Sequence, residues 1–245
     1  MLDIREVIKK DEQGRGGVYQ CIGEDESIYW VKGHNAGRSF QINEWIAGHL
    51  AQAFGLPIAP FQLVNIDEVL YQNLTTKKEI GFGPAFASKN AVNSAWFLPA
   101  TMHPSRALQQ DLLVFDYWIQ NHDRTKENPN LLWLTQTSDL VVIDHNLAFD
   151  DEFDAQVFFG INKSDTQEPH IFYQEQDSIF TDLVRVDEYK QRMDSAISSV
   201  EAVISGIPDE WYYYDLEKNY EAEIDLASYQ TILNRYHLDD FWSMK

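Results

Sequence analysis

The stretch Asn121-His122-Asp123-Arg124-Thr125-Lys126-Glu127-Asn128-Pro129-Asn130, with the Ile143-Asp144-His145 that follows it, decides how this sequence reads. Upstream, Leu108, Leu112, Phe115 and Ile119 recur at a helical period that stops just before Asn121. Downstream, Leu131-Leu132-Trp133-Leu134 and Leu140-Val141-Val142-Ile143 flank a turn at 135–139 and read as a hairpin. A polar loop is therefore held between a helix and a hairpin. In it Asp123 and Asn128 form an Asp-x4-Asn pair, and a second carboxylate, Asp144, closes the hairpin's second strand. That arrangement suits phosphoryl transfer, in which one carboxylate orients an acceptor hydroxyl while an amide oxygen and another carboxylate hold magnesium against the phosphates.

The bland alternative for the same residues is a solvated turn. Asp and Asn bond their own backbone in turns, and an Asp-Arg pair can be purely structural. Asp-x4-Asn taken alone is a weak signal. The helix before it, the hairpin after it and the Asp at the hairpin's exit strengthen the catalytic reading.

A chain of 245 residues, 44% of them hydrophobic, can bury a sizeable core as one large domain or two small lobes. It contains no run of about 18 apolar residues, and Met1-Leu2-Asp3-Ile4-Arg5-Glu6 lacks the basic and apolar regions of a signal peptide, which predicts a cytoplasmic protein without a membrane span. The single Cys21 permits no internal disulfide, and no Cys/His cluster suggests zinc. A net charge of −20 works against binding nucleic acid or anionic membranes, which need clustered Lys and Arg, and favours basic partners.

In chain order, Ile4 to Lys9, Val18 to Ile22 and Ser27 to Lys32 are β-rich runs separated by Gly and charged turns, which predicts an antiparallel meander. The first turn holds Gly14, Gly16 and Gly17. These could let backbone N–H groups close over nucleotide phosphates, or form an ordinary hairpin turn. Lys32 ends the third strand, placed either to meet a phosphate or to face solvent. A helix is predicted over about 39–54, with Ile42, Ile46, Leu50 and Ala53 on one face. Glu44 lies off that stripe, able to reach back to Lys32 or to face water in the first turns.

Residues 56–64 and 68–74 read as further strands, and Gly81 to Phe86 as a connector, so the lobe boundary is placed there: residues 1–85 as a nucleotide-binding lobe and 86–245 as a catalytic, mainly helical lobe. After Asp144 comes an acidic run, residues 150–154, which either borders an acceptor groove or is simply solvated. Helices are expected over about 105–120, 177–184, 186–204 and 219–236, and the aromatics Trp211-Tyr212-Tyr213-Tyr214 as core at the base of the helical lobe.

The order of motifs resembles the HipA-like kinases. It comprises the glycine turn, Val-Lys at a strand end, a helix with an early Glu and Leu-Ala near its end, Phe-Gly-Leu-Pro-Ile-Ala-Pro, Asn-x-Asp-Arg-x-x-x-Asn-x-Asn and Ile-Asp-His-x-x-Ala-Phe. That family is a bacterial branch of the protein-kinase-like fold and is similar around the last two motifs to phosphatidylinositol 4-kinases. The resemblance covers about residues 10 to 200. It implies an α+β, two-lobed protein-kinase-like fold with a β-rich N-lobe and a mainly helical C-lobe. It further implies ATP and Mg2+ as cofactors, Asp123 as the catalytic Asp, Asn128 and Asp144 as metal ligands, Lys32 as the phosphate-binding lysine and Glu44 as its partner. His145 stands where typical protein kinases have Phe, and Thr125 where related lipid kinases often have His. Both departures bear on the substrate more than on the ATP chemistry. Three functions stay open: a kinase of a protein hydroxyl, with a basic protein substrate as the favoured partner; a kinase-fold nucleotide-binding module without transfer; and a small-molecule or lipid kinase.

Overall fold

The computed structural model describes residues 1–11, 17–75, 77–215 and 218–243, which divide into two compact units. The first comprises residues 1–45, 59–92 and 206–224, and the second residues 46–58, 93–205 and 225–245.

The first unit is a closed five-stranded barrel. Strands β1 (Leu2–Lys10), β2 (Val18–Gly23) and β3 (Ile28–Lys32) form the predicted meander. Helix α1 (Arg38–Phe54) follows and continues into the second unit. Strands β4 (Phe61–Ile66) and β5 (Gly83–Lys89) complete the order β1-β2-β3-β5-β4, and a parallel pairing of Leu2 and Asp3 with Val64 and Asn65 closes the ring. Alternation along the strands sends Tyr19, Cys21, Tyr29, Val31, Val64, Ile66, Ala85 and Ala87 inward. Cys21 is a buried core residue whose thiol burial pushes up to about 12.

Four expectations for this unit change. Residues 68–74 form not a strand but helix α2 (Glu68–Asn73): the Asp67 carboxylate caps it, accepting from Val69 N at 2.6 Å and Leu70 N at 3.3 Å. Leu70, Tyr71 and Leu74 then share a helical face against the barrel. Gly81 to Phe86 is not a connector, because β5 begins at Gly83 and lies between β3 and β4, so the expected boundary at residue 85 falls inside a strand. Pro84 is tolerated there because β3 pairs only with residues 86–89 of β5, leaving the proline a single neighbouring strand. Of the 211–214 aromatics, expected as core of the helical lobe, Trp211 alone is buried and it belongs to the barrel unit, whereas Tyr212 and Tyr213 are half-buried and Tyr214 is 53% exposed. Trp211 is fully buried and donates its indole N–H to the Pro84 carbonyl at 2.9 Å, and Arg38 Nε donates to Tyr213 O at 3.0 Å. The proposed strand over 56–64 starts only at Phe61, after Pro57 and Pro60.

The second unit is mainly helical around a small sheet, β6 (Ser94–Trp96), β7 (Leu131–Leu134) and β8 (Asp139–Val142), in that order. Its helices are α3 (Arg106–Trp118), α4 (Ala155–Phe158), α5 (Gln176–Phe180), α6 (Leu183–Ile197), α7 (Val200–Ser205), α8 (Leu226–Asn234) and α9 (Asp239–Ser243). The helix expected over 186–204 breaks after Ile197, where the Ser198 and Ser199 hydroxyls bond back to the carbonyls of Ser195 and Ala196. The last helix starts not at Asn219 but after Asp225, which caps it. Phe54, at the end of α1, lies 5.3 Å from Phe115 and stacks on Tyr189 at 6.1 Å, and the Arg192 guanidinium lies over the Phe54 ring at 4.0 Å while pairing with Asp111. This packing fixes α3, whose C-terminal end delivers the loop at 121–130. Among the described residues no helix is long and apolar enough to cross a membrane.

Candidate active site

In the first unit, strand pairing sets the position of Lys32. It lies opposite Val18 of β2 and Phe86 of β5, at the end of a strand with a neighbour on each side. The side chain is 9% exposed and donates to the Glu44 carboxylate of α1, itself 4% exposed. Two opposite charges removed from water need each other, so this pair is strongly coupled to the fold. Gly17 adopts φ +59°, and its carbonyl accepts from Gly33 N at 3.2 Å; a Cβ there would meet the Asn35 side chain at 2.4 Å. The left-handed backbone at 17 favours glycine, and a side chain there would also have to displace that of Asn35. Gly14 and Gly16 lie outside the described residues.

In the second unit the loop after α3 is built in steps. Ser105 caps the helix N-terminus, and Arg235 donates to the carbonyls of Tyr117 and Trp118 at its other end, 3.0 and 3.2 Å away. Gln120, at φ +53°, turns the chain out of the helix, and Asn121 N returns to Asp116 O at 2.8 Å. Asp123 follows. Its Oδ2 accepts from Asn128 Nδ2 at 2.9 Å and from Asn130 Nδ2 at 3.0 Å, so two amides hold the carboxylate in one orientation. Burial raises the Asp123 pKa above the usual carboxylate range; the two amides oppose that shift, and the nearby charge of Asp144 adds to it. Because Asn128 gives its Nδ2 to Asp123, its oxygen is turned the other way, as a cation ligand requires. Thr125 Oγ1 accepts from Asn128 N at 3.2 Å and tightens the same turn.

Asp144 leaves β8 at φ +61°, and Asn130 stands at φ +49°; Asp and Asn are the non-glycine residues that enter this region most readily. The two chain segments are tied by Ile143 N donating to Asn130 O at 3.1 Å. Arg124, fully buried, reinforces that tie: its Nη1 donates to the carbonyls of Pro129, Asn130 and Ile143 at 3.3, 2.7 and 3.2 Å. The catalytic-loop candidate Asp123, with Asn128, and the candidate metal residue Asp144 are therefore braced by one guanidinium.

The counter-charge for Arg124 is Asp116, a residue that reading the sequence did not single out. Arg124 Nε donates to Asp116 Oδ2 at 2.6 Å, Asn121 Nδ2 to Oδ1 at 2.9 Å, and His170 Nε2 lies 3.0 Å from Oδ2. Burial alone would raise the Asp116 pKa, but Arg124 and His170 hold it well below the usual range. A signal for Asp116 existed: it falls at i+4 from Leu112 and i−3 from Ile119, a lone charge on the apolar stripe of α3. His170 had none, since its partner lies 54 positions away.

Among the described residues no group of three His, Cys, Asp or Glu side chains is placed to hold a metal ion. Asn128 and Asp144 are instead two hard oxygen donors of the kind magnesium uses when water and phosphate complete its octahedron. Of the acidic run, Asp150 and Asp154 cap local turns, accepting from Glu152 N and from Gln156 N and Val157 N, whereas Asp151 and Glu152 are exposed.

A search of curated proteins finds no match. Among solved structures, the chain is similar to the Helicobacter pylori proinflammatory kinase CtkA, with TM-score 0.60 and 14% identity over 100% of this chain and 95% of that one. It is also similar to a Golgi casein kinase, with TM-score 0.56 and 12% identity over 99% of this chain and 73% of that one. At these identities the likeness is one of fold, and the β-rich first unit and mainly helical second unit are those of a protein-kinase-like fold. The family model described as HipA-like kinase matches residues 4–245, and the chain belongs to the HipA-like kinase family.

Proposed function

We propose that this protein is an ATP- and Mg2+-dependent phosphotransferase acting on a protein hydroxyl, with Asp123 as its catalytic base. The observation that carries this reading is the pair of amides on Asp123: Asn128 and Asn130 hold its carboxylate, and the same contact turns the Asn128 oxygen away from Asp123. An ionised carboxyl whose pKa is raised by burial and by Asp144 is a better proton acceptor than a solvated one. Asp123 takes the proton of the acceptor hydroxyl as its oxygen bonds to the γ-phosphorus, the bond to the β-phosphate oxygen breaks, and ADP leaves. Asn128 and Asp144 would hold Mg2+, which when bound neutralises phosphate charge. Lys32, oriented by Glu44, offers its ammonium to the nucleotide phosphates. Gly17, with Gly14 and Gly16, is proposed to line the same phosphates. Membership of the kinase family supports the reaction class.

Mass spectrometry of the purified protein, with and without a mixed basic protein substrate, after incubation with Mg-ATP tests the proposal. Phosphate should appear on Ser or Thr with the wild type, and Asp123→Asn, which preserves shape and leaves the fold intact, should abolish it. Nucleotide binding with no phosphate gained anywhere would replace this reading with a binding module. Phosphate appearing only on small molecules would move it to a small-molecule kinase.

A further inference from the structure

We propose that His170 is a positioning residue of this site: through Asp116 and Arg124 it sets the placement of the loop that carries Asp123 and Asn128. The inference rests on the phosphotransferase reading for its catalytic consequence, but the geometry behind it does not.

His170, Asp116 and Arg124 are all fully buried. The tautomer of His170 follows from its contacts: Phe172 N donates to Nδ1 at 3.1 Å, so the ring hydrogen sits on Nε2 and points at Asp116 Oδ2, 3.0 Å away. That oxygen is the one that receives Arg124 Nε. Sharing one oxygen between the imidazole and the guanidinium fixes the rotation of the carboxylate, and so the rotation of the guanidinium whose far edge gathers the carbonyls of Pro129, Asn130 and Ile143. Main-chain contacts run in parallel: Ile171 N donates to Arg124 O at 3.0 Å, and Thr125 and His170 form an antiparallel bridge. Histidine is suited to this position because it supplies one neutral donor and one acceptor on a rigid ring. Phe158 and Phe172, with ring centres 5.0 and 5.9 Å away, hold that ring in place. A neutral ring also leaves the buried Asp116–Arg124 pair balanced in charge. Coupling runs from the segment at 158–172 into the catalytic loop, because Phe158 O accepts from His170 N at 2.9 Å.

Two variants of the full chain separate positioning from simple structure. His170→Gln places an amide N–H near the site of Nε2 and keeps the donor to Asp116. His170→Asn keeps an acceptor near Nδ1 for Phe172 N but is too short to reach Asp116. Amide hydrogen exchange without nucleotide should accelerate on the order of tenfold at 121–130 in His170→Asn relative to the rest of its unit, and stay near wild type in His170→Gln. With Mg-ATP at saturation, His170→Asn should lower kcat on the order of tenfold with KM for ATP unchanged, and His170→Gln should recover it. The inference is overturned if exchange at 121–130 in His170→Asn is unchanged, or rises only in step with a uniform loss of protection and equally in both variants. If the wild type transfers no phosphate, the function reading fails while the exchange comparison still decides the role of His170.

Discussion

Replacing Lys32 by Met removes an ammonium but keeps most of the stem's volume, so the first effect falls on Glu44. With side chains 9% and 4% exposed, Lys32 and Glu44 have been taken almost wholly out of water, and the buried Glu44 carboxylate would lose the Lys32 ammonium as counter-charge. Breaking a buried pair from one side costs about 3–5 kcal/mol, a large part of the roughly 5–15 kcal/mol by which domains are stable. Removing both charges is a different case. Lys32→Met with Glu44→Leu substitutes apolar packing for the pair and should return stability to within about 1 kcal/mol of wild type, since such replacements are often neutral. Nucleotide affinity should not return, because no ammonium remains to meet the phosphates; a loss of at least about tenfold, or 1.4 kcal/mol, is expected in both variants. Urea unfolding gives the stabilities and calorimetry with Mg-ATP the affinities. A single variant that loses less than about 1 kcal/mol would refute the burial argument. Wild-type affinity in the double variant would remove Lys32 from the nucleotide site.

With Asn128 and Asp144 as the proposed metal ligands, ATP affinity should fall when EDTA is added, and Asp144→Ala should lose that dependence. Equal affinity with and without metal would exclude the assignment. Stability should decline as pH drops below about 6.5, because burial lowers the pKa of His34, His49 and His170 in the fold. Each then takes up its proton mainly on unfolding, so its contribution is full above the unfolded value of 6.5 and is lost below it. A urea midpoint no lower at about pH 5.5 than at about pH 7.5 would contradict this. Among acceptors, peptides with Lys or Arg flanking Ser or Thr should be phosphorylated faster than acidic ones, and the preference should shrink with added salt or with Asp151→Asn plus Glu152→Gln. A peptide array showing preference for acidic sequences would reject a basic substrate.

Local pattern alone was sufficient for several elements. The apolar period of α3, the hairpin of β7 and β8, the meander β1 to β3 and the stripe of α1 all lie within reach of 3.6- or 2-residue periodicity. The placement of the loop at 121–130 was legible because its polar residues sit within ten consecutive positions between two such elements. Asp67 as a cap and the helical spacing of Leu70, Tyr71 and Leu74 were also present locally, but β-branched and aromatic content made the segment read as a strand.

Other features depended on residues far apart in the chain. The barrel closes by pairing Leu2 with Val64, and β5 became a strand because β3 and β4 offer unpaired edges on either side of a glycine-rich segment. Residues 206–224 return to the first unit, where the Trp211 indole finds the Pro84 carbonyl 127 positions away. The pairing of Lys32 with Glu44, left open between a buried ion pair and two solvated side chains, was decided by the burial of both under one unit's packing. His170 joins Asp116 across 54 positions with no periodic signal at the His170 end. Short-range periodicity reports only which face of an element is apolar. A buried polar group is chosen by what the fold brings against it, because out of water each such group must find a partner wherever in the chain that partner lies.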